Sequence, residues 1–421
     1  MTEEAPTAAS RSPLIAPAVV LVLLLIAGWL LSERGKTVSV TANDWPWWRG
    51  LQHQNIATGE APTNWSTDQN IRWRAKVSGR GHGTPIVIGS KVIVASANDL
   101  TQTLSLHAYD RSNGSSIWSV DLTSGAAMHK SIKNTYASSS PASDGKAVYY
   151  PWIADEQLWL ASVSIEGDVN WKKSIAPFFS EHGYASSPCI HQSLVIVPSD
   201  NLGASYLTGI DRSSGEIVWQ VPRRTGGSYT SPVIHQFGNQ PQLIMSGQGQ
   251  VVSYNPSTGD TLWTCEGPGL STIGTASFDD ELVFVTCGAP PMIAGVMAID
   301  ASTGKIAWQA DAMANVPSSL VVDNQLLVTE DRGTLVCFDT KTGEKKWRER
   351  LGGNLSASPT ATENAIYLPD ESGTVSVFRL GDTLELIAEN DLGDGGFASP
   401  VITGGQLFLR TERALFCIEQ Q

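Results

Sequence analysis

A short string recurs along this sequence: aspartate, two or three turn-forming residues, glycine, and then tryptophan. DRSNGSSIW ends at Trp118, DRSSGEIVW at Trp219, DASTGKIAW at Trp308 and DTKTGEKKW at Trp347. NPSTGDTLW, ending at Trp263, lacks only the aspartate, and IEGDVNW, ending at Trp171, is looser. Successive tryptophans stand 53, 48, 44, 45 and 39 residues apart. That is the period of one β-propeller blade, and it argues against dividing the 421 residues into two or three unrelated domains.

A second marker gives the count independently. Ser or Thr before Pro opens an apolar run at Thr84-Pro85, Ser140-Pro141, Ser187-Pro188, Ser231-Pro232, Ser358-Pro359 and Ser399-Pro400. Thr275-Ala276 and Ser318-Ser319 stand in register in the remaining gap, which makes eight units. In the unit opening at Ser187, a first strand reaches Ile190, and LVIVP, ASYLTGI and GEIVWQV follow as the second, third and fourth. These runs alternate and are rich in β-branched and aromatic residues. Between the last two, Asp211 and Ser213 close an Asx-type turn and Gly215 is free to take positive φ. The tryptophan then sits on the fourth strand, where its flat surface is expected to pack between blades rather than to cage a ligand.

The eighth unit, Ser399 to Gln421, has room for three strands and no tryptophan. NIRWRAKV, Asn70 to Val77, is expected to supply the fourth strand, with Trp73 in the repeat's usual role, because an unclosed array would leave open sheet edges. The seventh unit also lacks the tryptophan, so its outer strand is expected to be looser or repacked around Leu386.

With these residues in view, the chain resembles the PQQ-like (pyrroloquinoline-quinone-like) repeat family, whose signature is an Asp, a Thr-Gly or Ser-Gly turn, and a Trp. DWPWWRG, GEAPTNWS and NIRWRAKVSGRGHGTPIV look like the front end of bacterial secreted or anchored proteins with such propellers. The likeness covers residues 44–421. The same repeat occurs in quinoprotein alcohol dehydrogenases and in the propeller lipoprotein of the outer-membrane β-barrel assembly machinery, so it implies architecture more than activity. The expected fold is all-β: an eight-bladed β-propeller of four-stranded antiparallel blades, closed by the N-terminal strand and preceded by one transmembrane helix.

That helix is read from Pro13 to Leu31, 19 residues without a charge. At about 1.5 Å per residue they span roughly 28 Å, a bilayer's hydrocarbon thickness. No small-x-small site follows and the run exceeds a usual signal h-region, so an uncleaved anchor is expected over a cleaved signal. The expected organisation is a cytoplasmic tail 1–12, the anchor 13–31, a linker with a Trp-rich lead-in 32–69, and the propeller 70–421. Resemblance places the propeller outside the cytoplasm, on the periplasmic side.

The function is harder to read. A net charge of −13 argues against nucleic acid, which needs a Lys/Arg excess. The five cysteines show no metal spacing and are expected to be small buried hydrophobes, with a bridge between Cys265 and Cys287 left open. Quinoproteins of the resembled family carry adjacent cysteines, larger blades and a tryptophan floor. No Cys-Cys pair, haem CxxCH sequence or assignable Ca²⁺ ligand set is found here. Neither PQQ with Ca²⁺ nor any other cofactor is therefore expected, and GxSxG, HExxH and phosphate-loop motifs are absent too. His82 in GRGHG reads as an exposed turn histidine, and Arg223 and Arg224 in VPRRTGG as solvated.

Residues just before each Ser-Pro should approach the central channel. His82, Tyr136, His182 and Tyr184 are the candidates from the first three units, and Tyr229, Asn315, Asn354 and Phe397 from the later ones. They would form a recognition funnel or simply fill the channel mouth. Trp45, Trp47 and Trp48 are expected to bury against the propeller rather than meet a partner. The resulting expectation is a noncatalytic protein-binding scaffold in the cell envelope, with a degenerate quinoprotein dehydrogenase and a carbohydrate-binding propeller as the alternatives.

Overall fold

The computed structural model describes residues 1, 38–125, 130–267, 272–287 and 295–420. The chain divides into two units, Met1–Thr37 and Val38–Gln421. The apolar run 13–31 lies outside the described residues. Among the described residues no helix is long and apolar enough to cross a membrane.

Within the second unit, 32 described strands form eight four-stranded sheets, an eight-bladed β-propeller. Blade 1 is Ile86–Ile88, Lys91–Asn98, Thr103–Asp110 and Ser116–Thr123, paired antiparallel in chain order. Blades 2 to 7 follow the same order. In blade 8, Val401–Thr403, Gln406–Arg410 and Ala414–Glu419 are joined on the outside by Ile71–Lys76, with Trp73 opposite Cys417. First strands touch one another between blades 1 and 2, 2 and 3, 3 and 4, and 5 and 6, which places them on the innermost wall.

The repeat's tryptophan and glycine are two halves of one interblade contact. A Cβ built on Gly343 would lie 2.6 Å from the Trp308 ring of the preceding blade, and one on Gly114 would lie 2.6 Å from Trp73. Both glycines also have positive φ, +72° and +74°, which an L side chain adopts only with strain. In the repeat tryptophans other than Trp219 the indole nitrogen also donates to a carbonyl of the same turn, as Trp308 to Thr340 at 2.7 Å, Trp73 to Arg111 at 2.9 Å and Trp171 to Arg212 at 3.1 Å. Flat ring, glycine and carbonyl together explain why the string contains both a glycine and a tryptophan. The turns are Asx turns as the sequence reads: Asp211 Oδ1 accepts the Ser213 and Ser214 amides at 3.0 and 2.9 Å.

Blade 8 takes its outer strand from the N-terminus, so it has no third-to-fourth-strand hairpin for a blade 7 tryptophan to cover. The expectation of repacking around Leu386 is corrected here, since that side chain is 47% exposed. The lead-in covers blade 7 instead: the Trp65 amide donates to Asn390 Oδ1 at 2.8 Å, and Trp65 stacks on Tyr367.

The Ser or Thr that opens each of the eight units closes a ring. Each backbone N–H donates to the hydroxyl of the equivalent residue in the next blade. The Thr84 amide goes to Ser140, Ser140 to Ser187, and Ser187 to Ser231, at 2.8–2.9 Å. Ser231 continues to Thr275, Thr275 to Ser318 and Ser318 to Ser358 at 2.9–3.1 Å. Ser358 reaches Ser399 at 2.9 Å, and Ser399 returns to Thr84 at 3.2 Å. All eight are buried, so each hydroxyl satisfies an amide that water does not reach.

Beneath the ring, the Trp-rich lead-in fills the channel. Trp45 exchanges backbone hydrogen bonds with Val87 of blade 1, Pro46 accepts from Ser143 of blade 2, and Ala57 donates to Ala361 of blade 7. Trp48 Nε1 lies 3.4 Å from Thr275 Oγ1, a ring member. Arg49 is fully buried without a carboxylate; it donates to His53 O at 3.0 Å and Ser319 O at 2.9 Å, and burial pushes its guanidinium down to about 9. Trp45 and Trp47 are buried, as expected.

The five cysteines are all buried, and Cys265 and Cys287 are not bridged to one another. Arg224 is exposed against Glu266. Arg223, expected to be solvated, is instead buried: it grips Asp200 with two nitrogens at 2.7 and 3.0 Å, and reaches Tyr254 Oη of blade 4 at 2.9 Å. Its predecessor Pro222 is exposed and Arg223 alternates inward, so strand period decides what local charge does not.

Candidate functional site at the mouth of the channel

Above the ring lies a cavity of about 380 Å³. Every blade contributes one lining residue at a fixed offset, two positions before its ring hydroxyl. These are His82, Ser138, Ala185 and Tyr229 from the first four ring positions, and Ile273, Val316, Ser356 and Phe397 from the last four. The first strand starts at the ring and runs away from the mouth, which places that offset at the rim in every unit. Ser131, Lys133, Asn134 and His182 reach in from the long crossovers of blades 2 and 3.

Of the eight residues expected at the mouth, the structure brings four together: His82, His182, Tyr229 and Phe397. Tyr184 is buried, its hydroxyl donating to Pro198 O at 2.9 Å and its ring packed edge-on against Phe178. Tyr136 shares a small separate pocket with Tyr184, under the ammonium of Lys130 at 5.1 Å. The Asn315 carbonyl accepts from Gly274 of the preceding crossover, and the Asn354 carbonyl from Glu371 in the second-to-third-strand turn of blade 7. Neither asparagine lines the cavity. The sequence reading selected aromatic and polar residues near each motif and so passed over Ala185, Ile273 and Val316. The fixed offset itself was the signal that would have found them.

The polar groups of the mouth are bonded to one another. Lys133 Nζ is 2.6 Å from Glu371 Oε1, which also accepts from Ser356 Oγ at 2.6 Å. Asn134 donates to His182 O at 2.7 Å. His82 Nε2 is 3.3 Å from Glu412 Oε1, and Arg80 Nε is 2.7 Å from Oε2. That hydrogen bond from His82, joined by Arg80, pulls the Glu412 carboxyl down to about 2. Two ring pairs wall the cavity, His82 on Phe397 at 4.2 Å and His182 on Tyr229 at 6.0 Å.

This donor set does not fit a quinone held through Ca²⁺. Among the described residues no carboxylate lines the cavity, and Glu371 and Glu412, which its polar side chains contact, are already engaged by Lys133, Arg80 and His82. A hard cation takes six to eight oxygen ligands, largely carboxylate.

The family model described as outer membrane protein assembly factor BamB matches residues 58–180, 105–269 and 294–386. The chain belongs to that family. Its relatives include the outer membrane protein assembly factor BamB of Bordetella pertussis, 24% identical over 82% of this chain and 85% of that one. The crystal structure of BamB from Moraxella catarrhalis superposes with a TM-score of 0.59 at 16% identity, over 86% of this chain and 98% of that one. A quinohemoprotein alcohol dehydrogenase from Pseudomonas putida HK5 gives 0.68 at 12% identity, over 93% and 81%. At such identities the two structures speak for the fold that the BamB family shares with quinoproteins, and for nothing finer.

Proposed function

We propose that this BamB-family propeller is a noncatalytic protein-binding scaffold in outer-membrane protein assembly, and that its partner docks on the mouth side. The observation that carries the reading is the family match, which covers blades 1 to 4 and 6 in full and parts of blades 5 and 7. Blade strands alternate in direction, so the crossovers and the second-to-third-strand turns emerge on the mouth side. Among the described residues five large apolar side chains there face solvent: Leu100 and Leu202 in turns, and Ile132, Phe179 and Met313 in crossovers. Scattered singly such residues are ordinary; gathered at one end around a cavity they are the composition of a docking surface. In this proposal residues 1–12 are cytoplasmic, 13–31 anchor the chain as a single pass, 32–69 lead in, and the propeller of 70–421 works on the periplasmic side. A degenerate quinoprotein is disfavoured by the donor set of the mouth.

The test is photocrosslinking of the full chain in its source cells, from a photoreactive residue placed at Ile132 or Met313 and, as control, at Ile306 on the outer rim. The expected result is an adduct with an outer-membrane assembly protein from the mouth-side positions alone. Adducts from Ile306 only, or stoichiometric binding of pyrroloquinoline quinone with dye-linked alcohol oxidation, would overturn the proposal.

A further inference from the structure

We infer that the mouth cavity takes a single apolar side chain of an extended polypeptide segment whose flanking residues are basic. The inference rests on the scaffold reading and narrows it to one anchor and one charge pattern.

The first argument is the chemistry left unused. The mouth's polar groups spend their hydrogen bonds on one another, through Lys133 with Glu371, Ser356 with Glu371, Asn134 with His182 O, and His82 with Glu412. A hydroxyl-rich sugar would have to break these bonds to make its own. An apolar group displaces only water. Ala185, Tyr229, Ile273 and Val316 come from four consecutive blades, 3 to 6, and make one continuous apolar arc for it to rest on. The floor is fixed by the hydroxyl ring and the lead-in beneath it, so this is a blind socket. Its volume of about 380 Å³ suits a side chain and its backbone, not a folded domain.

The second argument is charge. The chain is acidic overall, at −13. Two carboxylates beside the arc have no ion pair among the described residues. Glu181 is exposed next to His182 and within electrostatic reach of Tyr229. Asp331 holds the amides of Asn315 and Val316 at 3.1 and 3.0 Å. A lysine or arginine on either side of the anchor would meet them. A second cavity of about 250 Å³, lined by Glu181, Leu202 and Gln248, shares His182 and Tyr229 with the first. It extends the groove outward over blades 3 and 4, in the direction an extended chain would leave.

The experiment is fluorescence anisotropy of labelled pentapeptides, Lys-Lys-X-Lys-Lys with X as Phe, Leu or Ala, titrated with the full chain in mild detergent. Glu-Glu-Phe-Glu-Glu serves as the charge control. The Phe and Leu peptides are expected to bind roughly tenfold or more tighter than Ala, and the acidic peptide to bind least. Ile273→Arg should erase the preference for Phe, and Ile273→Ser should reduce it should the arginine variant fail to fold. Glu181→Gln should weaken the basic peptides and flatten their salt dependence without changing the Phe-to-Ala ratio. Equal binding of Phe and Ala, or a ratio unchanged by both Ile273 variants, would overturn the inference while leaving the crosslinking test of the scaffold untouched.

Discussion

Ser187→Ala isolates one link of the hydroxyl ring. The substitution removes the oxygen that accepts the Ser140 amide at 2.9 Å, but leaves Ser187's own amide bonded to Ser231 at 2.8 Å. Both residues are buried, so the Ser140 N–H is stranded away from water. Stranding a buried donor costs about 1–3 kcal/mol, more than the net worth of an ordinary hydrogen bond, because the desolvation of the amide is no longer repaid. Threonine is the informative control. Thr84 and Thr275 already do this work in the ring, so Ser187→Thr should recover at least half of the loss. The assay is denaturant unfolding of the full chain, followed by tryptophan fluorescence, with the three proteins compared at equal slope. Ser187→Ala within about 0.5 kcal/mol of the parent, or Ser187→Thr as damaging as Ser187→Ala, would refute the claim that the motif exists to supply an acceptor.

Arg223→Ala should cost about 3–5 kcal/mol, because it abandons Asp200 in the interior; a loss under about 1 kcal/mol in the same unfolding assay would show the pair to be solvated after all. Gly343→Ala should cost about 2–4 kcal/mol, from positive φ and from a Cβ forced against Trp308, and Gly405→Ala, also at positive φ but with open space around its Cβ, should cost less. Burial pushes His53 down to about 3 and His107 to about 4. The unfolded chain, titrating near 6.5, therefore binds these protons first, so stability is full above that pH and falls below it, by up to ~1.4 kcal/mol per unit for each histidine. Unfolding midpoints measured between about pH 7.5 and 5 should decline in that direction, and a flat profile would contradict the burial of both rings.

The architecture was legible because it repeats. Most of the repeat tryptophans meet a glycine in the next blade, and each ring hydroxyl meets an amide in its neighbour, so both halves of these contacts recur at blade period and stand out in one sequence. What was hidden comes from places where the period breaks. Leu386 drew attention as a substitute for a tryptophan, yet blade 8 receives its outer strand from Ile71–Lys76 and offers no hairpin to cover; Trp65, over 300 residues away in the chain, packs there instead. Arg223 looked like a surface charge because its partners lie elsewhere in the chain, Asp200 in a turn of blade 3 and Tyr254 on a strand of blade 4. Tyr184 and Tyr136 lay near the right motif, but at offsets that turn them away from the axis.

The same logic separates scaffold from site within a blade. At the ring position all eight units hold serine or threonine, since each must accept an amide. Two residues earlier, at the cavity wall, the units hold histidine, serine, alanine, tyrosine, isoleucine, valine, serine and phenylalanine. A position whose identity ranges that widely, at one fixed place in a strict repeat, is under no common packing demand. The contacts that assemble the propeller are met below it, by the ring and the lead-in, and beside it, by the tryptophan–glycine pairs. The wall is thus the place where side chains can change without loosening the body, and the unbroken run of Ala185, Tyr229, Ile273 and Val316 on blades 3 to 6 gives an otherwise eightfold collar a direction. A partner segment bound there would be held in one orientation, which an unbroken ring of identical residues could not achieve.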